Sequence, residues 1–142
     1  MMLEGYYLPE DVYYHKEHMW MRVEGGLAVV GITDFAAKLA GPIKRVVTLE
    51  EEDEVEQDSP MGTISTGKWS GRLYAPVSGE IAEVNLEVED NPRIINASPY
   101  GDGWILKIKP YDLQAELANL MYIGDGRFEQ WFMEEVRKHA RK

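Results

Sequence analysis

Lys68 is the residue best placed to do chemistry. It stands in Thr66-Gly67-Lys68-Trp69-Ser70-Gly71, between Met61-Gly62-Thr63-Ile64-Ser65 and Arg72-Leu73-Tyr74-Ala75, two runs that read as strands. An amine at the tip of a hairpin stands clear of its own fold, so an enzyme can reach and acylate it. Gly67 and Gly71 remove bulk on either side of the turn and supply flexible dihedrals. A free lysine is almost wholly protonated at neutral pH and is a poor nucleophile. An attaching enzyme must therefore deprotonate it, so recognition depends on the hairpin and not on sequence alone. The chemistry on offer is covalent modification, with the protein as a carrier. The competing reading is a solvated loop lysine, which is what most glycine-flanked lysines in turns are.

Other constellations are weaker. Gly62 and Gly67-Lys68 have the spacing of a phosphate loop, but Trp69 replaces the hydroxyl residue that would hold magnesium, and no helix follows. His15 and His18 lie three apart with Glu17 between them and could face one metal from a helix. A third ligand is not evident, and His139 lies at the far terminus, so no metal is expected. The acidic run Glu50-Glu51-Glu52-Asp53-Glu54 lacks the spaced carboxylates and glycine of a calcium loop and reads as a solvated face. The chain has no cysteine, which excludes disulfides, thiolate metal sites and a cysteine nucleophile. A lysine-dependent enzyme would need a second catalytic group, and none is visible, so no catalytic residue is assigned.

The frame that positions these residues is small. With 142 residues the chain fits one domain that can bury a core. Its net charge of -10 repels phosphate backbones and anionic lipid. Nucleic acid and membrane are therefore not expected as partners, and partners with basic patches are. No signal pattern or long apolar run is present, so a soluble, cytoplasmic protein is expected. Tyr6 to Trp20 is rich in aromatics, and Pro9 argues against one continuous strand there. Arg22 to Gly31 reads as a hairpin turning at Glu24-Gly25-Gly26. Thr33 or Asp34 caps a short helix carrying Phe35 and Leu39, which Gly41-Pro42 stops. Arg45 to Leu49 is a strand. Ala82, Val84, Leu86 and Val88 alternate as the buried face of another strand, and Pro92 to Pro99 is a loop. Trp104 to Lys109 is a strand closed by Pro110. Leu113, Leu117, Leu120 and Met121 form a helical stripe behind Asp112. Phe128, Trp131, Phe132 and Val136 form a second stripe, which runs into the basic tail Arg137-Lys138-His139-Ala140-Arg141-Lys142. Many short strands with helical additions predict a small β-sandwich or barrel.

Together these segments acquire a further meaning. Lys16-Glu17-His18-Met19-Trp20, Val30-Gly31-Ile32-Thr33-Asp34-Phe35-Ala36 and Ala75-Pro76-Val77-Ser78-Gly79-Glu80-Ile81 are followed by Ile94-Ile95-Asn96, Pro99-Tyr100-Gly101-Asp102-Gly103-Trp104 and Lys107-Ile108-Lys109-Pro110. In order and spacing they resemble the glycine cleavage system H-protein family, whose members are lipoyl carriers. The resemblance runs from about Tyr14 to Leu117. In that family the lipoylated lysine stands eight residues before the proline of a Pro-x-Ser-Gly turn, and Lys68 holds that place relative to Pro76. The resemblance implies a mainly β barrel-sandwich hybrid of two antiparallel sheets, with one short internal helix and C-terminal helices. The chain is then a single domain over 1–142, with 112–142 as a helical extension. It also implies lipoate in amide linkage on Lys68, attached by a lipoate-attaching enzyme. Glycine cleavage partners follow: a decarboxylase, a tetrahydrofolate-dependent transferase and dihydrolipoyl dehydrogenase.

Two departures bear on the load. The family usually has an acid between the histidine and tryptophan of its early motif and an aspartate four past the lysine; here these are Met19 and Arg72. Both positions line the cleft that receives the arm in the family, with His18 and Trp69 as further candidates. Losing two acids disfavours a cationic aminomethyl load. The expectation is therefore a specialised lipoate-binding protein of bacterial sulfur oxidation, working with a heterodisulfide-reductase-like complex. The alternatives are the aminomethyl carrier of glycine cleavage and a structural or regulatory domain that is not lipoylated because Trp69 blocks the ligase.

Overall fold

The computed structural model describes residues 1–140. The chain opens with a ribbon of β1 (Met2–Leu3) and β2 (Tyr6–Tyr7), then β3 (Tyr13–Tyr14), β4 (Met19–Glu24) and β5 (Leu27–Ile32). Gly25 and Gly26 turn β4 into β5 with φ of 58° and 81°, the left-handed pair that a tight hairpin demands. Trp20 faces Gly31 across this pair because no side chain would fit there: a Cβ on Gly31 would lie 2.8 Å from the indole Nε1. Helix α1 (Asp34–Ala40) starts at Thr33, whose Oγ1 accepts from the Ala36 N–H at 3.2 Å, and ends at Gly41.

After α1 come β6 (Arg45–Thr48), β7 (Glu54–Val55), β8 (Pro60–Ser65), β9 (Ser70–Tyr74) and β10 (Gly79–Val84). Two short helices, α2 (Leu86–Asp90) and α3 (Arg93–Ala97), precede β11 (Leu106–Pro110), α4 (Leu113–Leu117) and α5 (Phe128–Ala140). Three sheets result. One is six-stranded in the order β3-β4-β5-β11-β10-β7, one is three-stranded in the order β6-β8-β9, and the last is the β1-β2 ribbon. The mainly β expectation holds, as open antiparallel sheets; among the described residues none closes on itself.

The core divides in two. Met21, Val30, Met61, Leu73, Ile81 and Ile108 belong to a buried aliphatic cluster that draws on both larger sheets. A second cluster is aromatic: Tyr14, Trp20, Phe35, Phe128 and Phe132, with Leu8. It explains the aromatic crowding near the N-terminus, since these rings bury the apolar stripe of α5. Phe132 lies edge-on to Phe35 at 5.4 Å, and Tyr14 meets Phe128 at 4.6 Å. The first turns of α5 are thereby held, and near its end the His139 ring lies 5.7 Å from Phe35 and 6.3 Å from His18. Of the predicted basic tail, Arg141 and Lys142 lie outside the described residues.

Several expectations need correction. The alternation Ala82 to Val88 is not one strand. β10 ends at Val84, and Asn85 Nδ2 donates to the carbonyls of Trp104 at 2.6 Å and Asp102 at 3.0 Å, drawing the chain out of the sheet into α2. Ile81 and Val88 are buried, while Ala82 and Leu86 are exposed. Residues 93–97 are helix α3, not loop, with Ile95 buried. Helix α4 stops at Leu117; Leu120 joins the core from a turn, and Met121 bridges Tyr14. Asp112 makes no side-chain cap.

Candidate functional site

The hairpin of β8 and β9 closes with Ser65 opposite Ser70, leaving Thr66-Gly67-Lys68-Trp69 as the turn. Thr66 organises it. Its backbone N–H donates to the Trp69 carbonyl at 2.8 Å, and its Oγ1 accepts from the N–H groups of Trp69 at 3.3 Å and Lys68 at 3.4 Å. Lys68 is exposed, and among the described residues its ammonium has no hydrogen-bond or ion-pair partner. Gly67 lies in the turn. Gly71 does not; it belongs to β9, beneath the Trp69 indole, where a Cβ would sit 2.3 Å from the ring. Its value is flatness under an aromatic side chain, not turn flexibility.

Beside the hairpin is a cleft of about 620 Å³. It is lined by Trp69, Gly71 and Arg72 from the hairpin, His18 from the turn ahead of β4, Met19 at the start of β4, and the α1 face bearing Ala36 and Leu39. The sequence-predicted candidates other than Lys68 and Gly67 thus meet in one place, and Lys68 is next in the chain to the lining residue Trp69. Met19 and Ile64 are buried and give the cleft an apolar floor, while Arg72 is exposed at its rim. α5 adds a wall that sequence reasoning missed: Glu135, Lys138 and His139. Glu17 also reaches the cleft. The four-residue spacing of Glu135 and His139 was a visible signal of a shared helical face; their distance in sequence from His18 hid the meeting.

His15 and His18 do not act together. His15 is buried, takes the Glu17 N–H on Nδ1 at 3.1 Å, and meets Asp58 through Nε2 at 2.6 Å. His18 turns the other way. Its backbone is left-handed, with φ of 65°, and its ring stacks on Trp131 at 4.9 Å. Its Nε2 lies 2.8 Å from Glu135 Oε1. Burial holds its imidazole below the ordinary histidine range, against the pull of the Glu135 carboxylate. A charged ring would leave an Nδ1–H buried with no acceptor, since Nδ1 has no partner among the described residues. The surroundings therefore favour a neutral ring that donates from Nε2 to Glu135.

An exposed lysine on a two-stranded hairpin whose Trp69, Gly71 and Arg72 line a partly apolar cleft is an arrangement suited to a carrier domain with a covalently held arm. Comparison with known proteins specifies the class. The family described as "Glycine cleavage H-protein" matches residues 12–129. The glycine cleavage system H protein of Halalkalibacterium halodurans is 46% identical over 105 residues, covering 74% of this chain and 82% of that protein. The probable glycine cleavage system H protein 2 of Sulfolobus acidocaldarius is 46% identical over 106 residues, covering 72% and 71%. The crystal structure of a glycine cleavage system H protein from Mycobacterium marinum superposes with a TM-score of 0.78 at 27% identity, over 91% of this chain and 99% of that one. The chain belongs to the glycine cleavage H-protein family. Proteins of this family carry lipoate covalently on a lysine and act as carriers, not as catalysts. Among the described residues no helix is long and apolar enough to cross a membrane.

Proposed function

We propose that Lys68 carries lipoate in amide linkage and that the protein serves as the aminomethyl carrier of glycine cleavage. The observation that supports this most is an exposed Lys68 amine, without a partner among the described residues, on the hairpin whose Trp69, Gly71 and Arg72 line a cleft of about 620 Å³. The residues fit the group: the hairpin offers the amine, and Met19 and Ile64 offer an apolar floor for an aliphatic chain. When bound, lipoate supplies a dithiolane that cycles between disulfide, dithiol and a thiol bearing the load.

The remaining work belongs to the chain's own side chains. The β8–β9 ladder fixes where the amine projects, so partner enzymes meet it at high effective concentration. Trp69, half exposed over Gly71, lines one side of the cleft. Glu17 and Glu135 bring negative charge to the cleft. This offsets the argument from Met19 and Arg72, because acids from the turn and from α5 stand in for those missing at the two family positions. The glycine cleavage names of the relatives favour the same reading. Decarboxylase, tetrahydrofolate-dependent transferase and dihydrolipoyl dehydrogenase are the partners it implies.

Arg72 and Lys138 favour a second reading, an anionic sulfur load handled by a heterodisulfide-reductase-like complex. The two readings separate when lipoylated protein is incubated with labelled glycine and the decarboxylase. Label retained on the protein and released by the transferase supports glycine cleavage. Absence of label, with the enzymes active on a control H protein, removes that reading.

A further inference from the structure

A second feature of the cleft is independent of the carrier lysine. Glu135 and His139 lie one turn apart on α5 and project from one face. His18 meets them from the turn ahead of β4, and the ligand atoms of all three lie within 4.8 Å of one another. His18 Nε2 and Glu135 Oε1 stand 2.8 Å apart. Two donors bound to one tetrahedral zinc at about 2.0–2.1 Å are themselves separated by about 3.3 Å. The hydrogen-bonded pair needs to open by only about half an ångström to become neighbouring ligands.

The ring that anchors this cluster is held firmly. The His18 N–H donates to the His15 carbonyl at 2.9 Å, and its own carbonyl accepts from the Thr33 N–H at 3.0 Å. Trp131 and Phe35 flank the imidazole, each with its centroid 4.9 Å away. His18 is left-handed, as are Glu4, Glu52 and Asp58, and two backbone bonds and two flanking rings hold it in that conformation. The ring's orientation is fixed before any ligand arrives. Coordination at Nε2 moves the ring proton to Nδ1, which has no acceptor among the described residues, so the ion must outweigh that burial.

We propose that His18, Glu135 and His139 bind one divalent first-row transition-metal ion, with zinc as the ion best suited to the donors. Two imidazoles and a carboxylate are a set taken by such ions, whereas calcium and magnesium call for oxygen ligands throughout. Three protein ligands leave a coordination position open, and all three residues line the cleft. The ion ties the far end of α5 to the turn before β4. Lys138 and Arg72 oppose a cation there, and Glu17 together with Glu135 offsets them. His15 takes no part, being bound to Asp58.

The test uses full-length, untagged and unlipoylated protein, so that it is separate from any result on Lys68. The protein is stripped with a chelator and titrated with zinc by calorimetry, then with cobalt by visible spectroscopy. The expected result is one zinc per chain, weakened at least about tenfold in both Glu135→Gln and His139→Ala, together with a low-coordinate cobalt spectrum that both variants lose. His139 lies near the helix end and is partly exposed, so His139→Ala keeps the fold, which circular dichroism checks. Binding well below one ion per chain, or affinity unchanged in both variants, overturns the proposal.

Discussion

Replacing Gly79 by alanine costs far more stability than replacing Gly71, although both positions are equally crowded. A Cβ at Gly79 would stand 2.2 Å from the Lys109 carbonyl oxygen and 2.6 Å from Ile108 Cγ2. At Gly71 it would stand 2.3 Å and 2.5 Å from atoms of the Trp69 ring. The obstacles differ in kind. Gly79 pairs with Pro110 on one side and Val55 on the other, so its strand cannot shift without disturbing two ladders. Trp69 is 50% exposed and can swing outward. Overpacking costs about 1–3 kcal/mol, and Gly79→Ala falls at the upper end because backbone must yield. In Gly71→Ala the equal clash is relieved by movement of the ring, and what remains is offset by about 0.4–1 kcal/mol of reduced unfolded-chain entropy. At about 2–4 °C per kcal/mol for a chain near this size, Gly79→Ala melts roughly 6–12 °C below the wild type, and Gly71→Ala within roughly 2 °C of it. Thermal melts followed by far-ultraviolet circular dichroism measure both, and tryptophan emission reports the displaced indole in Gly71→Ala. Equal losses in the two variants would refute the distinction between backbone and side-chain obstacles.

Asn96→Ala destabilises by about 1–3 kcal/mol, because Asn96 Oδ1 accepts the Ile43 N–H at 2.9 Å and Nδ2 donates to the Gly41 carbonyl at 2.9 Å. Urea unfolding would show a lower midpoint at unchanged slope; an unmoved midpoint contradicts this. Tyr14 is buried with its hydroxyl donating to the Pro9 carbonyl at 2.6 Å, and burial pushes the phenol far above its ordinary range. The unfolded chain ionises it near about pH 10, so its contribution is complete below that pH and declines as pH rises beyond it. Tyr14→Phe therefore loses stability less steeply than the wild type under alkaline conditions, though Tyr100, shifted in the same direction, keeps part of the slope. Parallel alkaline slopes would count against the burial argument.

The parts of the fold legible in sequence are those set by local chemistry. Gly25-Gly26 forces a hairpin, Thr33 caps α1, and Gly41 ends it. The misread stretches are those decided by distant partners. Asn85 leaves the strand pattern because the Trp104 and Asp102 carbonyls capture its amide, which no periodicity shows. The Lys68 hairpin was readable from its flanking strands. The α5 wall was not, since its position depends on Phe128 and Phe132 entering an aromatic cluster assembled from the N-terminal segment. The same gap left the electrostatic argument incomplete. Met19 and Arg72 were visible as lost acids, while Glu17 and Glu135 become part of the cleft only once the turn and α5 are packed.

Mass spectrometry of the intact protein and its peptides, after treatment with a lipoate-attaching enzyme and lipoate, tests the carrier assignment most directly. One lipoyl increment on the peptide containing Lys68, and none on Lys68→Arg, is the predicted result. An unmodified wild-type chain beside a modified control, or an increment on another lysine, would contradict it.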